Sequence, residues 1–271
     1  MNIKKFKDLR IEINSDCNRK CVFCPRENDL TRWKINKHGK KTLVRKFMSD
    51  EIVYSILDQN INQGFNANVS FMFYNEPTLD KRLLNFIDYA NKLNTKVVLT
   101  TNGDRIKNSK SYAKEIFSRN IKLYISLYDY KNKDESVRLI NNWQNYLNEL
   151  KINPKQYELN AQYEEFGSRA GLVTPNNFEK KSKLYKSVPL EYDCKKIHSK
   201  MNIRFDGEVA ICCEDSHVQH SLGNVYEKTL SEIWYGERMK EATKILSEGR
   251  RKDITPCNKC IKGIKKVESN L

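Results

Sequence analysis

Residues 9–24 read LRIEINSDCNRKCVFC, and two features of that stretch decide the fold. From Leu9 to Asn14 the apolar Ile11 and Ile13 alternate with polar neighbours, the period-two pattern of a strand with one buried face. The strand stops directly before Cys17, so the thiols of Cys17-x3-Cys21-x2-Cys24 fall within eight residues on the loop that follows it. Thiolates at such spacing suit soft metal sites, zinc or an iron–sulfur cluster. A closed structural site takes four ligands. A local trio leaves one metal position to a distant residue or to a small molecule.

Outward from this stretch, strands and helices alternate. Ser49, Asp50 and Glu51 open a helix whose apolar face carries Ile52, Val53, Ile56, Leu57 and Ile61. Val69 to Tyr74 reads as a second strand, followed by Asn75-Glu76-Pro77 and a helix with Leu83, Leu84, Ile87, Tyr89 and Ala90. Lys96 to Thr101, Ile121 to Leu127 and Gln156 to Tyr163 continue the strand series, with helical stretches near 109–119 and 134–150 between them. This repetition predicts an α/β fold built on a parallel sheet, with functional loops at the strands' C-terminal ends. Residues 26–47 are basic and turn-rich without clear periodicity. After about residue 190 the character changes. Two short apolar runs flank Asp206-Gly207, a hairpin signal. Thr229-Leu-Ser-Glu232 is a capping box that opens a helix running through Ile233, Trp234, Met239, Ala242 and Leu246, with Gly249 near its end.

The 271 residues carry 49 Lys and Arg against 34 Asp and Glu, a net charge of +15. That excess favours anionic partners, but Lys is spread along the whole chain and no RNA-binding signature accompanies it. Nucleic acid is therefore set aside as a partner. No run approaches the roughly 20 apolar residues of a membrane span, and the first residues lack the apolar stretch of a secretory signal. The chain reads as cytoplasmic. There its eight cysteines point to metal or redox work rather than disulfides.

Five cysteines remain: Cys194, Cys212, Cys213, Cys257 and Cys260. Four of them suffice to close a site. Adjacent strand residues face opposite sides, so Cys212 and Cys213 do not both point inward. We assign Cys212 as the ligand and Cys213 as a spare thiol. His198, His217 and His220 receive no role.

The trio, with the aromatic Phe23 before its last cysteine, resembles the signature of the radical S-adenosylmethionine (SAM) enzymes. That resemblance implies a [4Fe-4S] cluster on Cys17, Cys21 and Cys24, with the amino and carboxylate groups of SAM on the open iron. Cluster potentials span roughly −700 to +450 mV, and reductive cleavage of a sulfonium requires the low end. Tyr74-Asn75-Glu76-Pro77 is similar to the family's Gly-Gly-Glu-Pro segment, which binds the SAM amino group, with both glycines replaced. Asn102, in Thr101-Asn102-Gly103, and Ser126 match positions that contact the SAM carboxylate or ribose in relatives, although Thr-Asn-Gly is also an ordinary turn. The C-terminal pattern resembles the twitch form of a SPASM domain, which holds one auxiliary [4Fe-4S] cluster; Cys194, Cys212, Cys257 and Cys260 supply four thiolates. The implied architecture is a partial (β/α)6 TIM-like barrel over residues 1–190 and a small twitch/SPASM domain, hairpin plus helix, over 191–271.

Within this family the chain is similar to aminocyclitol dehydrogenase-like enzymes, whose substrate contacts match Arg169 and Glu214. The resemblance implies hydrogen abstraction from an unactivated carbon of a small-molecule substrate, anionic or carbohydrate-like, with flavodoxin or ferredoxin as electron donor. Oxidation to a ketone follows if the auxiliary cluster accepts an electron, and epimerisation if Cys213 returns a hydrogen atom. Two other readings are a peptide maturase, disfavoured because only 16 residues precede Cys17, and a zinc-stabilised nucleic-acid-binding protein. Two clusters predict brown protein with about eight irons per chain, where the zinc reading predicts colourless protein.

Overall fold

The computed structural model describes residues 3–21, 23–35, 37–38, 41–128, 133–161, 169–170, 172 and 194–260. Its elements are, in order, β1 (Asp8–Ile11), β2 (Trp33–Ile35), β3 (Lys41–Leu43), α1 (Asp50–Asn62), β4 (Asn68–Ser70), α2 (Leu83–Lys92), β5 (Val97–Thr101), α3 (Asp104–Asn108), α4 (Lys110–Phe117), β6 (Ile121–Ser126), α5 (Lys133–Glu149), β7 (Tyr157–Asn160), β8 (Lys200–Ile203), β9 (Glu208–Ala210), β10 (Ser221–Asn224), α6 (Leu230–Trp234) and α7 (Glu237–Ser247). One sheet runs β10-β9-β8-β1-β4-β5-β6-β7. Its strands from β8 to β7 are all parallel, and β9 and β10 close the other end antiparallel.

The strand alternation sorts the two faces. Leu9, Ile11, Val69, Val97, Leu99, Leu123 and Ile125 are buried, against a layer that includes Phe86 and Ile87 of α2, Ile116 of α4 and Leu147 of α5. The residues between them, Arg10, Ser70, Thr100 and Tyr124 among them, face a cavity along the sheet's other side. Parallel strands need crossover helices, and these cover one face only, so the opposite face stays polar and open for a site. The N-cap signal at Ser49 holds, its side chain accepting the Ile52 N–H, and Ser109 likewise accepts that of Tyr112.

Several boundaries differ from the sequence reading. The strand expected over 69–74 pairs only to Ser70, beyond which Asn75 Oδ1 accepts the Phe73 N–H in a turn. Tyr163, expected in the last core strand, and the 190/191 domain boundary lie outside the described residues. The hairpin around Asp206-Gly207 is present, but β8 pairs in parallel with β1, so it extends the core sheet. Gly207 has φ +85°, and a Cβ there would meet Tyr226 and Asn224 at 2.4 and 2.5 Å. The single helix expected from Thr229 to Leu246 is two helices, broken at Gly236, where a Cβ would lie 2.3 Å from the Glu232 carbonyl oxygen. Residues 26–47, read as irregular, hold two single 3₁₀ turns and the β2–β3 hairpin.

The C-terminal helices dock on the core through α6. Its capping box is complete, and its next free donors go to the core: Gln59 accepts the Leu230 N–H at 2.8 Å and Gln63 the Ser231 N–H at 2.9 Å. Trp234 is 1% exposed, meets Phe6 edge-on at 5.0 Å and donates Nε1–H to the Lys4 carbonyl at 2.9 Å. Trp234→Ala leaves a large cavity at this seam. Chemical denaturation is expected to show a loss of about 3–5 kcal/mol.

Candidate active site

The loops that leave the C-terminal ends of β1, β4 and β5 meet. The Asp16 carbonyl accepts the Glu76 N–H at 2.7 Å, and Asp16 Oδ1 accepts the Cys17 N–H at 2.9 Å. Asn18 and Arg19, inside the cysteine loop, both bond to Asp104, and Asn102 Nδ2 donates to Asn18 Oδ1 at 2.8 Å. Arg26 Nη2 donates to the Cys17 carbonyl at 3.0 Å. The loop is therefore held from β5 on one side and from residues 26–47 on the other.

Burial pushes the Cys17 and Cys24 thiols up, against the pull of backbone N–H groups, from Arg19 to Cys17 and from Arg26 to Cys24. Thiols held neutral in this way ionise when a metal supplies the counter-charge. Among the described residues no three His, Cys, Asp or Glu side chains gather tightly enough for a single metal ion. A four-iron cluster, which takes one thiolate on each iron, does not need them to.

Of the expected SAM-contact residues, Glu76 is the most constrained. It is buried, and its Oε1 accepts from Thr78 N, Thr78 Oγ1 and Thr101 Oγ1 at 3.1, 2.6 and 2.6 Å. Its Oε2 accepts the Asn102 N–H at 2.7 Å. Burial raises its pKa, and these bonds oppose that. Glu76 thus clamps the β4 and β5 loops together beneath the cysteine loop. Ser126 lies at the end of β6 on the cavity wall, and Phe23 stands edge-on to Tyr128 at 4.8 Å. Tyr74 sends its hydroxyl to the Cys213 carbonyl at 2.8 Å, tying the segment that resembles Gly-Gly-Glu-Pro to the C-terminal module.

Sequence reasoning missed Glu12 and Arg32. Both are 0% exposed, and Arg32 Nη2 contacts both Glu12 oxygens at 3.0 and 3.1 Å. Arg32 also bonds Asp29 and the Ser15 carbonyl, and stacks on Phe205 at 4.9 Å. Glu12 in turn accepts the Tyr74 N–H at 3.0 Å and the Phe205 N–H at 3.3 Å. Burial raises the Glu12 pKa even so. The only sequence signal was a carboxylate in the strand that leads to the cysteines.

The C-terminal thiols separate by direction. Cys257 is pushed up to about 12, by burial first and then by the like charges of Cys194 and Cys260. Cys212 is raised well above the usual thiol range by burial, and it feels both Cys213 and Cys257. Cys213 instead lines a cavity of about 540 Å³ with Arg10, Met72, Tyr74, Arg169 and Asn202. Arg169 Nη1 contacts Glu214 Oε1 at 3.3 Å, and its guanidinium lies 5.9 Å from the Tyr74 ring. The Arg169 charge also reaches Cys24. Arg169 and Glu214 thus come together between the two cysteine sets. A second cavity of about 450 Å³ runs along the sheet's inner face and shares Arg10, Met72 and Lys200 with the first.

Residues 11–152, more than half of the chain, match the Radical SAM superfamily. The chain belongs to the radical SAM superfamily. Residues 194–261 match SPASM, an iron–sulfur cluster-binding domain. The chain is 23% identical over 261 residues to an S-adenosyl-L-methionine-dependent 2-deoxy-scyllo-inosamine dehydrogenase of Niallia circulans, covering 95% of this chain and 93% of that one. Its fold is similar to BtrN in complex with AdoMet and 2-DOIA (TM-score 0.72, 21% identity, 95% and 93% covered). It also resembles Streptococcus suis SuiB bound to precursor peptide SuiA (TM-score 0.58, 16% identity, 92% and 71% covered). As a radical SAM enzyme with a SPASM domain, it takes SAM and two [4Fe-4S] clusters as cofactors. Thiols that burial keeps neutral despite the neighbouring arginines fit that chemistry, because a cluster's iron supplies the missing counter-charge.

The Glu12–Arg32 pair yields a direct test. Removing one partner strands a buried charge, at a cost of about 3–5 kcal/mol. Arg32→Met and Glu12→Gln are each expected to lose that much in denaturant melts. The double variant should lose clearly less than the sum.

Proposed function

We propose that this radical SAM enzyme oxidises a carbinol carbon of a small polyhydroxylated substrate, sugar- or aminocyclitol-like, held in the cavity between its two clusters. Cys17, Cys21 and Cys24 would hold the first cluster, and Cys194, Cys212, Cys257 and Cys260 the second. When bound, these groups supply a 5′-deoxyadenosyl radical that takes the carbon-bound hydrogen and, at the second cluster, an acceptor for the electron left on the substrate. One observation carries the reading: Arg169, on the wall of the cavity that Cys213 also lines, meets Glu214, and its charge reaches Cys24 as well as Cys213.

The chain's own residues have three tasks there. Glu76, through Thr101 and Asn102, fixes the floor on which SAM would rest, with Asn102, Ser126, Phe23 and the backbone of Tyr74 and Asn75 around it. Arg169, from the cavity wall, and Glu214, paired with it, would bind the substrate hydroxyls. Glu214 would also receive the hydroxyl proton that leaves as the ketone forms. Arg10 and Lys200 line both cavities; Asp8 pairs with Lys200 at 3.2 Å, and Arg10 suits a phosphate or carboxylate on the substrate. The chain's eight free cysteines fit a reducing cytoplasm, where flavodoxin or ferredoxin would deliver the electron. Among the described residues no helix is long and apolar enough to cross a membrane.

Epimerisation has one observation in its favour, the Cys213 thiol on the cavity wall. The reconstituted enzyme is to be incubated with SAM, reductant and a panel of sugars, nucleotide sugars and aminocyclitols, in deuterated water, with 5′-deoxyadenosine as readout. The stimulating substrate should end as a ketone, and Cys213→Ala should leave ketone formation in place. Solvent deuterium on the reacting carbon, lost with Cys213→Ala, would replace oxidation by epimerisation.

A further inference from the structure

Two adjacent arginines after α7 have opposite surroundings. Gly249, at φ +75°, turns the chain out of the helix. Arg250 then points outward, half-exposed, and pairs with Glu248 and Asp253. Arg251 points inward and is 1% exposed. Its Nη2 donates to the Cys260 carbonyl at 2.9 Å, while Nε and Nη1 are buried with no hydrogen-bond partner among the described residues. None of the described carboxylates forms an ion pair with it. Its positive charge lies close enough to the Cys257 thiol to pull against that thiol's burial.

A buried guanidinium with two unsatisfied donors and no anion is among the costliest arrangements a protein interior can hold. Thiolates at Cys194, Cys212, Cys257 and Cys260 would be costly too, because burial and mutual repulsion push Cys212 and Cys257 up. The two costs cancel if the four sulfurs carry an anionic cluster and the guanidinium faces it. Cysteine-ligated iron–sulfur clusters are tuned by net charge and by hydrogen bonds to their sulfurs. Reduction adds one negative charge, so a fixed neighbouring cation stabilises the reduced form more than the oxidised one and raises the potential.

We propose that Arg251 is the counter-charge of the auxiliary cluster: its Nε and Nη1 donate to cluster or cysteine sulfur, and its charge keeps the cluster oxidising enough to accept the substrate's electron. The proposal rests on the two-cluster reading of the cysteines. Arg251 is a positioning and tuning residue that touches no substrate.

The test isolates the auxiliary cluster in a Cys17→Ala, Cys21→Ala, Cys24→Ala background, with about four irons per chain after reconstitution. The midpoint potential is read by EPR-monitored redox titration, with Arg251 unchanged, as Arg251→Lys and as Arg251→Met. Arg251→Met should lower the equilibrium constant for reduction at least tenfold, about 59 mV for a one-electron couple. Arg251→Lys, which keeps the charge, should fall between the two. Arg251→Met loading iron normally and titrating at the parent potential overturns the proposal. If Arg251→Met loses iron, Arg251→Lys decides: normal loading supports the counter-charge, and equal loss makes the residue a strut for the Cys260 carbonyl and overturns it. An iron-free parent in this background would instead remove the auxiliary cluster itself, and the proposal with it.

Discussion

The buried Glu12–Arg32 pair fixes how the parts of this molecule meet. Glu12 follows β1 and precedes the cysteine loop. Arg32 belongs to the segment after that loop, Tyr74 to the loop after β4, and Phe205 to the turn between β8 and β9. The other three converge on the Glu12 carboxylate. A buried ion pair contributes little net stability, because desolvation consumes most of the Coulombic gain. Its value lies in registry. Any shift of the C-terminal hairpin relative to the cysteine loop would strand a charge or an N–H group in the interior.

That registry explains why the two cysteine sets flank a cavity. With β8 paired to β1, the turn after β9 carries Cys212, Cys213 and Glu214 toward the loops at the core's C-terminal edge. Tyr74 closes the remaining distance through its hydroxyl on the Cys213 carbonyl, and His217 does so through its Nε2, 3.2 Å from the Pro25 carbonyl beside Cys24. The charges then divide the labour. Glu12 and Arg32 satisfy each other, whereas Arg169, shared by Glu214 and the cavity, and Arg251, paired with no described carboxylate, keep capacity for groups the chain does not itself supply.

The strand before the cysteines, the crossover helices, the Asp206-Gly207 turn and the Thr229 capping box were legible, because each rests on contacts within a few residues. The close spacing of Cys17, Cys21 and Cys24 was legible for the same reason. What was missed depends on distance or direction. Glu12 and Arg32 are 20 residues apart with no periodicity to link them, and residues 26–47 gave no sign of a hairpin. The parallel pairing of β8 with β1 joins segments almost two hundred residues apart. Gly236 was visible, but only the close approach of the Glu232 carbonyl shows why the helix breaks there. In sequence Arg250 and Arg251 are alike. Burial alone tells them apart.

Native-state hydrogen exchange reads the central claim at the amides concerned, since exchange reports local as well as global opening. In Arg32→Met the Tyr74 and Phe205 N–H groups should lose protection together with the cysteine loop, while the β5–β6 ladder keeps its own. Faster exchange confined to residues 26–47, with Tyr74 and Phe205 unchanged, would contradict the role given to the Glu12–Arg32 pair.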